Sequence, residues 1–164
     1  MDKGSIKNST INKCAYILVI CLLMVMGFPA SLLAKGECPQ DRKTPTAPKE
    51  FLSMKNPLPL NARILKVGED LFQIKGKPIT CKTCHGVNGD GKSESGFEST
   101  PPARNFTCAE TMGTLPDGQL FWIIRNGSPT TSMFSYSDLS DDQIWQLIHY
   151  IRKFLKIPER KIKK

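Results

Sequence analysis

Hydrophobic and polar positions change rhythm several times along this chain. From Cys14 to Ala34 no residue is charged, residues 16–26 form a dense apolar run, and Lys3, Lys7 and Lys13 precede it. Gly27 and Pro29 break the run and Ala34 offers a small residue for cleavage, so residues 1–34 read as a secretory signal peptide. An uncleaved anchor is the alternative, because 21 uncharged residues can just span a bilayer. Either way the lysines stay inside and the rest is exported. Residues 35–60 lose all periodicity. Pro39, Pro45, Pro48, Pro57 and Pro59 remove backbone donors and predict an extended arm, either a spacer or a wrapping for the domain that follows.

Helical spacing begins near Asn61. Ile64, Val67, Gly68, Leu71 and Ile74 fall on one face until Gly76 and Pro78 end it. A mid-helix glycine costs about 1 kcal/mol relative to alanine, so Gly68 predicts close approach by another helix. Residues 86–107, rich in Gly, Ser and Pro, read as a loop. A second helix is expected from about Leu115 to Asn126, with Pro116 in its first turn and Asn126-Gly127 as its stop. The last helix has the clearest pattern. Ser140 and Gln143 form a capping box, Asp141 and Asp142 suit the positive end of the dipole, and Ile144, Leu147, Ile148, Ile151, Phe154 and Leu155 make one stripe. The pattern predicts an all-α domain over residues 61–157 with little or no sheet, then a basic tail at 158–164.

Charge narrows the partners. The 164 residues carry a formal net charge of +8. Without residues 1–34 the chain keeps 20 basic and 14 acidic side chains. The excess is concentrated at the end, where residues 156–164 hold five basic groups against Glu159 alone. That tail reads either as a solvated end or as a contact for an acidic partner or an anionic membrane. An exported chain without aromatic-basic interleaving is not expected to bind nucleic acid.

Chemistry is concentrated at Cys81-Lys82-Thr83-Cys84-His85. The C-x-x-C-H spacing is the attachment signature of c-type haem: two thiols for the vinyl groups of one porphyrin, then an imidazole for its iron. One copy implies one covalent haem c. It would also supply much of the core that about 100 residues lack by themselves. Met133 is the candidate second ligand. It lies 48 residues after His85 in a polar loop, Gly127 to Phe134, between two helices. Thioether ligation favours ferrous iron and raises the potential. Met112 and Met54 have weaker contexts, and His149 is expected at the surface, off the apolar stripe.

The chain resembles a class I c-type cytochrome, the small bacterial mono-haem kind, over about 100 residues from Asn56 to Leu155. The resemblance rests on Asn56-Pro57-Leu58-Pro59, Gly68-Glu69-Asp70-Leu71-Phe72, the haem motif with Gly86, and Asn88-Gly89-Asp90-Gly91. Pro101-Pro102-Ala103-Arg104-Asn105-Phe106, the run from Asp117 to Gly127, Met133, and the run from Leu139 to Trp145 complete it. It implies an all-α class I cytochrome c fold, about three to five helices around one covalently bound haem. It also implies a first helix crossing the last, with Gly68 and Phe72 meeting Trp145 or Tyr150. His85 Nδ1 is expected to donate to the carbonyl of Pro101 or Pro102. Arg104 is expected either to meet a haem propionate or to stand as a solvated surface arginine. Three departures stand out. Phe134 follows Met133 where such families usually have Pro, which predicts a looser loop and a weaker methionine-iron bond. Thr131-Ser132 replaces a small, Gly-containing approach. Cys108 stands where an acidic residue is common; an oxidising compartment allows it to pair with Cys38 and pin the arm, although sequence does not decide the geometry.

The leading reading is a periplasmic electron carrier, soluble or anchored to the outer face of the cytoplasmic membrane, that docks transiently on redox partners. No catalytic constellation points to an enzyme. The alternatives are a haem subunit of a larger membrane-associated oxidoreductase and, if Met133 does not ligate, a ligand-binding or sensing haem. A zinc module built on Cys38, Cys81, Cys84 and Cys108 has poor spacing.

Overall fold

The stripe from Ile144 onward folds as the longest helix of the domain, Asp141–Lys153. Its start is the capping box read from the sequence: Ser140 Oγ accepts from Gln143 N at 3.3 Å, and Gln143 Oε1 accepts from Ser140 N at 2.9 Å. Ile144, Leu147, Ile148 and Ile151 are buried, and Phe154 and Leu155 are half-buried. The computed structural model describes residues 36–40 and 44–155. The expected leader at residues 1–34 and basic tail at 158–164 lie outside the described residues. No described helix is long and apolar enough to cross a membrane.

In chain order the helices are α1 (Lys49–Leu52), α2 (Ala62–Asp70), α3 (Cys81–His85), α4 (Ala109–Met112), α5 (Asp117–Asn126) and α6 (Asp141–Lys153). The described residues contain no strand, so the fold is all-α. Among the described residues there are six α-helices, of which α1 and α4 are single turns of four residues.

The dominant packing is α2 against α6, and Gly68 makes it close. A Cβ there would lie 2.2 Å from the Gln146 carbonyl oxygen and 3.0 Å from Tyr150 Cβ. Phe72, fully buried, stacks obliquely on Tyr150 at 5.5 Å and on Phe154 at 5.2 Å. Gly68→Ala is therefore expected to destabilise. The helix-propensity gain of about 1 kcal/mol is smaller than the cost of forcing a backbone contact apart, at the upper end of about 1–3 kcal/mol for overpacking. A net loss of about 1–2 kcal/mol should appear as a lower urea midpoint; an unchanged midpoint would show that the helices separate freely.

Three expectations are corrected. Ile74 does not share the buried face; it is 68% exposed. After Asp70 the chain continues as one π-helical turn, Leu71–Lys75. Its i→i+5 bonding shifts the angular register and buries Phe72 with Leu71 instead. Secondly, the compact domain does not begin near Asn61: of the two alternatives for residues 35–60, spacer or wrapping, the described residues follow the second and belong to the same compact unit as the helices. The segment contains α1, buries Ala47, and stacks Phe51 on Phe121 at 6.3 Å. Gln119 grips it from both sides, with Oε1 accepting from Ala47 N at 2.8 Å and Nε2 donating to Pro45 O at 3.1 Å. Cys38 and Cys108 form a disulfide across 70 residues. Closing a loop of that length stabilises by about 2–4 kcal/mol through restriction of the unfolded chain. Thirdly, His149 is half-buried rather than at the surface, and its Nε2 lies 2.9 Å from Leu58 O.

Candidate haem site

Helix α3 is only five residues long, and at helical spacing Cys81, Cys84 and His85 sit at i, i+3 and i+4 on one face. All three line one cavity. Leu120, Ile123 and Ile124 of α5, with Leu147 and Ile151 of α6, form its apolar wall. The space is about 1040 Å³ including its open mouth, at the upper end for small-molecule sites. Cys81 and Cys84 are free thiols. Burial pushes the Cys81 thiol up to about 12 and raises Cys84 as well, so both are neutral thiols at neutral pH. The disulfide removes Cys38 and Cys108 from any four-thiolate site, which leaves the zinc reading two ligands short.

His85 is held on two sides. Its Nδ1 lies 2.9 Å from the carbonyl oxygen of Arg104, and its ring stacks on Phe106 at 4.3 Å. A carbonyl only accepts, so Nδ1 carries the proton and Nε2 the lone pair that a metal takes. The expected acceptor was Pro101 or Pro102; the carbonyl found at Nδ1 belongs to Arg104. Pro101 and Arg104 line the cavity. Pro102 is exposed and is not among the lining residues. Arg104 is half-buried and its Nη2 donates to Thr44 Oγ1 at 2.5 Å, so it is not a solvated surface arginine.

Met133 lines the same cavity, and neither Met54 nor Met112 does. Met112 is a fully buried core residue whose carbonyl accepts from Arg152 Nη1 at 2.7 Å. Hydrogen bonds stand in for the missing proline in tying the Met133 loop. Ser128 N donates to Met133 O at 3.2 Å, Met133 N to Thr131 Oγ1 at 3.1 Å, and Ser132 N to Thr100 O at 3.1 Å. The hydroxyls of Thr131 and Ser132, read above as departures, are part of that tie, since Ser132 Oγ also accepts from Thr100 N at 3.0 Å. Phe134 stands half out of the cavity mouth, 48% exposed.

The lining fits a haem. It pairs a nearly all-apolar wall with two thiols, an oriented imidazole and a thioether. Two buried hydroxyls in it, Ser99 Oγ and Ser128 Oγ, have no protein partner, and polar groups such as propionates would satisfy them. Sequence reasoning missed these serines, and also Phe106 as the histidine's stacking partner. It missed Tyr136, too, which lines the cavity and donates to Ile79 O at 2.9 Å. Burial holds the Tyr136 phenol above its ordinary range. An aromatic three residues after Met133 was the only available signal for that wall.

The family comparison agrees with this chemistry. The family model described as cytochrome C oxidase, cbb3-type, subunit III, matches residues 65–151, just over half of the chain. No curated protein matches. A chain of the reducing HAO-like protein complex of Kuenenia stuttgartiensis is similar at 28% identity with a TM-score of 0.49, over 63% of this chain and 50% of that one. This chain thus spans about half of that chain's length. With α3 presenting its thiols and imidazole to one apolar cavity and the family model covering the domain around it, the chain belongs to the family of cytochrome C oxidase, cbb3-type, subunit III, and is a c-type cytochrome domain for covalent haem and electron transfer.

Proposed function

We propose that this protein is an exported mono-haem c-type cytochrome that carries single electrons between respiratory redox partners, with His85 and Met133 as the residues that would ligate its iron. The observation that carries this reading is that His85 and Met133 line one cavity together with Cys81 and Cys84. Bound haem supplies a reversible one-electron exchange at its iron. Cys81 and Cys84 would hold it through thioethers, and His85 Nε2 and the Met133 sulfur would be the groups offered to its iron. The apolar walls of α5 and α6 would keep water from the haem. Arg104, Ser99 and Ser128 supply polar partners for the propionates.

The single C-x-x-C-H supports one haem. The apolar run at residues 16–26 supports export to the periplasm, either free or held at the outer face of the cytoplasmic membrane. Transient docking on redox proteins follows from outer-sphere transfer, and no substrate chemistry is assigned. The family description motivates a second reading, a haem subunit of a larger oxidoreductase. Mild detergent extraction distinguishes the two: a monodisperse monomer favours the carrier, and a stoichiometric partner favours the subunit.

The test is the oxidised and reduced absorption spectrum, extended into the near-infrared, of protein made in a host that matures c-type cytochromes. One covalent low-spin haem per chain with a sulfur-to-iron band is expected. A reduced high-spin haem that binds carbon monoxide would replace the carrier by a ligand-binding role, and a chain without covalent haem would end both.

A further inference from the structure

We propose that the segment before α1 is a strap that positions the iron-binding histidine, with Gln40 as its positioning residue. This rests on the haem reading above and concerns what sets the behaviour of that site. The strap grips the three residues around the carbonyl that holds His85. Gln40 Nε2 donates to Ala103 O at 2.8 Å, and Gln40 Oε1 accepts from Asn105 N at 2.8 Å. One side-chain amide thus clamps the residues on both sides of Arg104. In an extended chain, alternate residues turn their N–H and C=O to opposite edges. Clamping Ala103 and Asn105 on one edge directs the Arg104 carbonyl to the other, where His85 Nδ1 meets it at 2.9 Å.

Other contacts tighten the same grip. Asn105 is buried, and its Nδ2 donates to Gly36 O at 3.0 Å and to Glu37 O at 3.3 Å. Its Oδ1 accepts from Thr107 N at 2.9 Å, which keeps the amide aimed at the strap. Arg104 itself donates from Nη2 to Thr44 Oγ1 of the same segment. Gly36 lies so close to the loop behind α3 that a Cβ there would be 1.9 Å from Asp90 O. The Cys38–Cys108 disulfide latches strap and loop together two residues from Gln40. A domain that needed the strap only for bulk would not need a bidentate clamp centred on the histidine's acceptor.

The consequence is electronic as well as structural. A carbonyl that accepts from Nδ1–H makes the imidazole a stronger donor and favours ferric iron. Loosening the clamp should therefore shift the midpoint potential upward. It should also let the His85 Nδ1 proton exchange with solvent faster, by about tenfold for the loss of the order of one hydrogen bond.

The experiment uses the haem-loaded protein and reads both the midpoint potential and the exchange of the His85 Nδ1 proton by NMR of the reduced form. Gln40→Ala should raise both. Cys38→Ser with Cys108→Ser, which releases the latch but keeps the amide, should move both in the same direction by less and covers the case in which Gln40→Ala does not accumulate. Phe51→Ala loosens the segment at α1, away from the clamp, and should lower stability while leaving both readouts at parental values. Parental potential and exchange in Gln40→Ala, or in the double serine variant if that alone is obtained, would overturn the positioning role while leaving the cytochrome reading intact. Equal shifts in Phe51→Ala would reduce the strap to general packing. A parent chain without covalent haem would overturn the functional reading and the strap with it.

Discussion

Replacing Cys81 and Cys84 together by serine is expected to give a chain with no covalent haem and little of its folded stability. The two effects have one cause. The cavity wall includes Leu115, Leu120, Ile123, Ile124, Leu147 and Ile151, which are core side chains with one face on the haem space. Each apolar side chain of this size contributes about 1.5–3 kcal/mol when fully buried. Exposing one face of several of them removes stabilisation on the order of 5 kcal/mol, comparable with the whole margin of a domain this size. The remaining α2–α6 contact, the Phe72, Tyr150 and Phe154 cluster and the disulfide do not touch that space, so partial helicity should persist. The expected observations are loss of the haem signal in denaturing gels and a melting temperature lower by about 15–30 °C. A covalent haem retained by the double variant would show that the motif is not the attachment site. A parental melting temperature without haem would show that the walls close on themselves.

Removing Met133 should have the largest functional effect at small structural cost. Met133 is half-buried in a loop tied by its own backbone and by Thr131 and Ser132, so Met133→Ala should cost less than the 2–5 kcal/mol typical of a core methionine. The proposed haem iron, however, would lose its thioether ligand. The potential is expected to fall by about 100 mV or more, a fraction of the roughly 0.8 V that axial ligands span. The reduced protein should then bind carbon monoxide, which the parent should not. Met133→Leu separates ligation from volume: it refills the space but offers no sulfur, so it should share the spectrum and potential of the alanine variant with near-parental stability. An unchanged sulfur-to-iron band and potential in both variants would show that another group ligates. Neither Met54 nor Met112 lines the cavity, so that outcome would require the site to rearrange.

The parts of this fold legible beforehand are those written within one or two helical turns. The Ser140 capping box, the stop at Asn126-Gly127, the stripe of α6 and the burial of Gly68 all follow from neighbours at i+3, i+4 or i+7, and all are present. Ile74 failed for a local reason that periodicity does not carry, because one π-helical turn changes the angle per residue without changing the composition. The segment at residues 35–60 left spacer and wrapping undecided for a different reason. Its prolines correctly forbid a long helix, but Ala47, Phe51 and Gln40 find their partners 60 or more residues away, at Gln119, Phe121 and residues 103–105. Arg152 is another such case. Its guanidinium joins the end of α6 to Asp117 at 2.7 Å, to Met112 O at 2.7 Å and to Leu115 O at 2.6 Å, and nothing beside it in sequence marks that role.

The sequence by itself determined that residues 81–85 present two thiols and an imidazole together, because positions i, i+3 and i+4 share one helix face whatever surrounds them. It also offered Met133 as the candidate second ligand, through the polar loop that carries it between two helices. Only the tertiary structure decided that Met133 lines the cavity of His85, that the carbonyl at Nδ1 is Arg104's, and that Gln40 holds that carbonyl in place. Backbone carbonyls are identical in every residue. Which one meets a side chain depends on how distant segments pack, and no side-chain pattern records it.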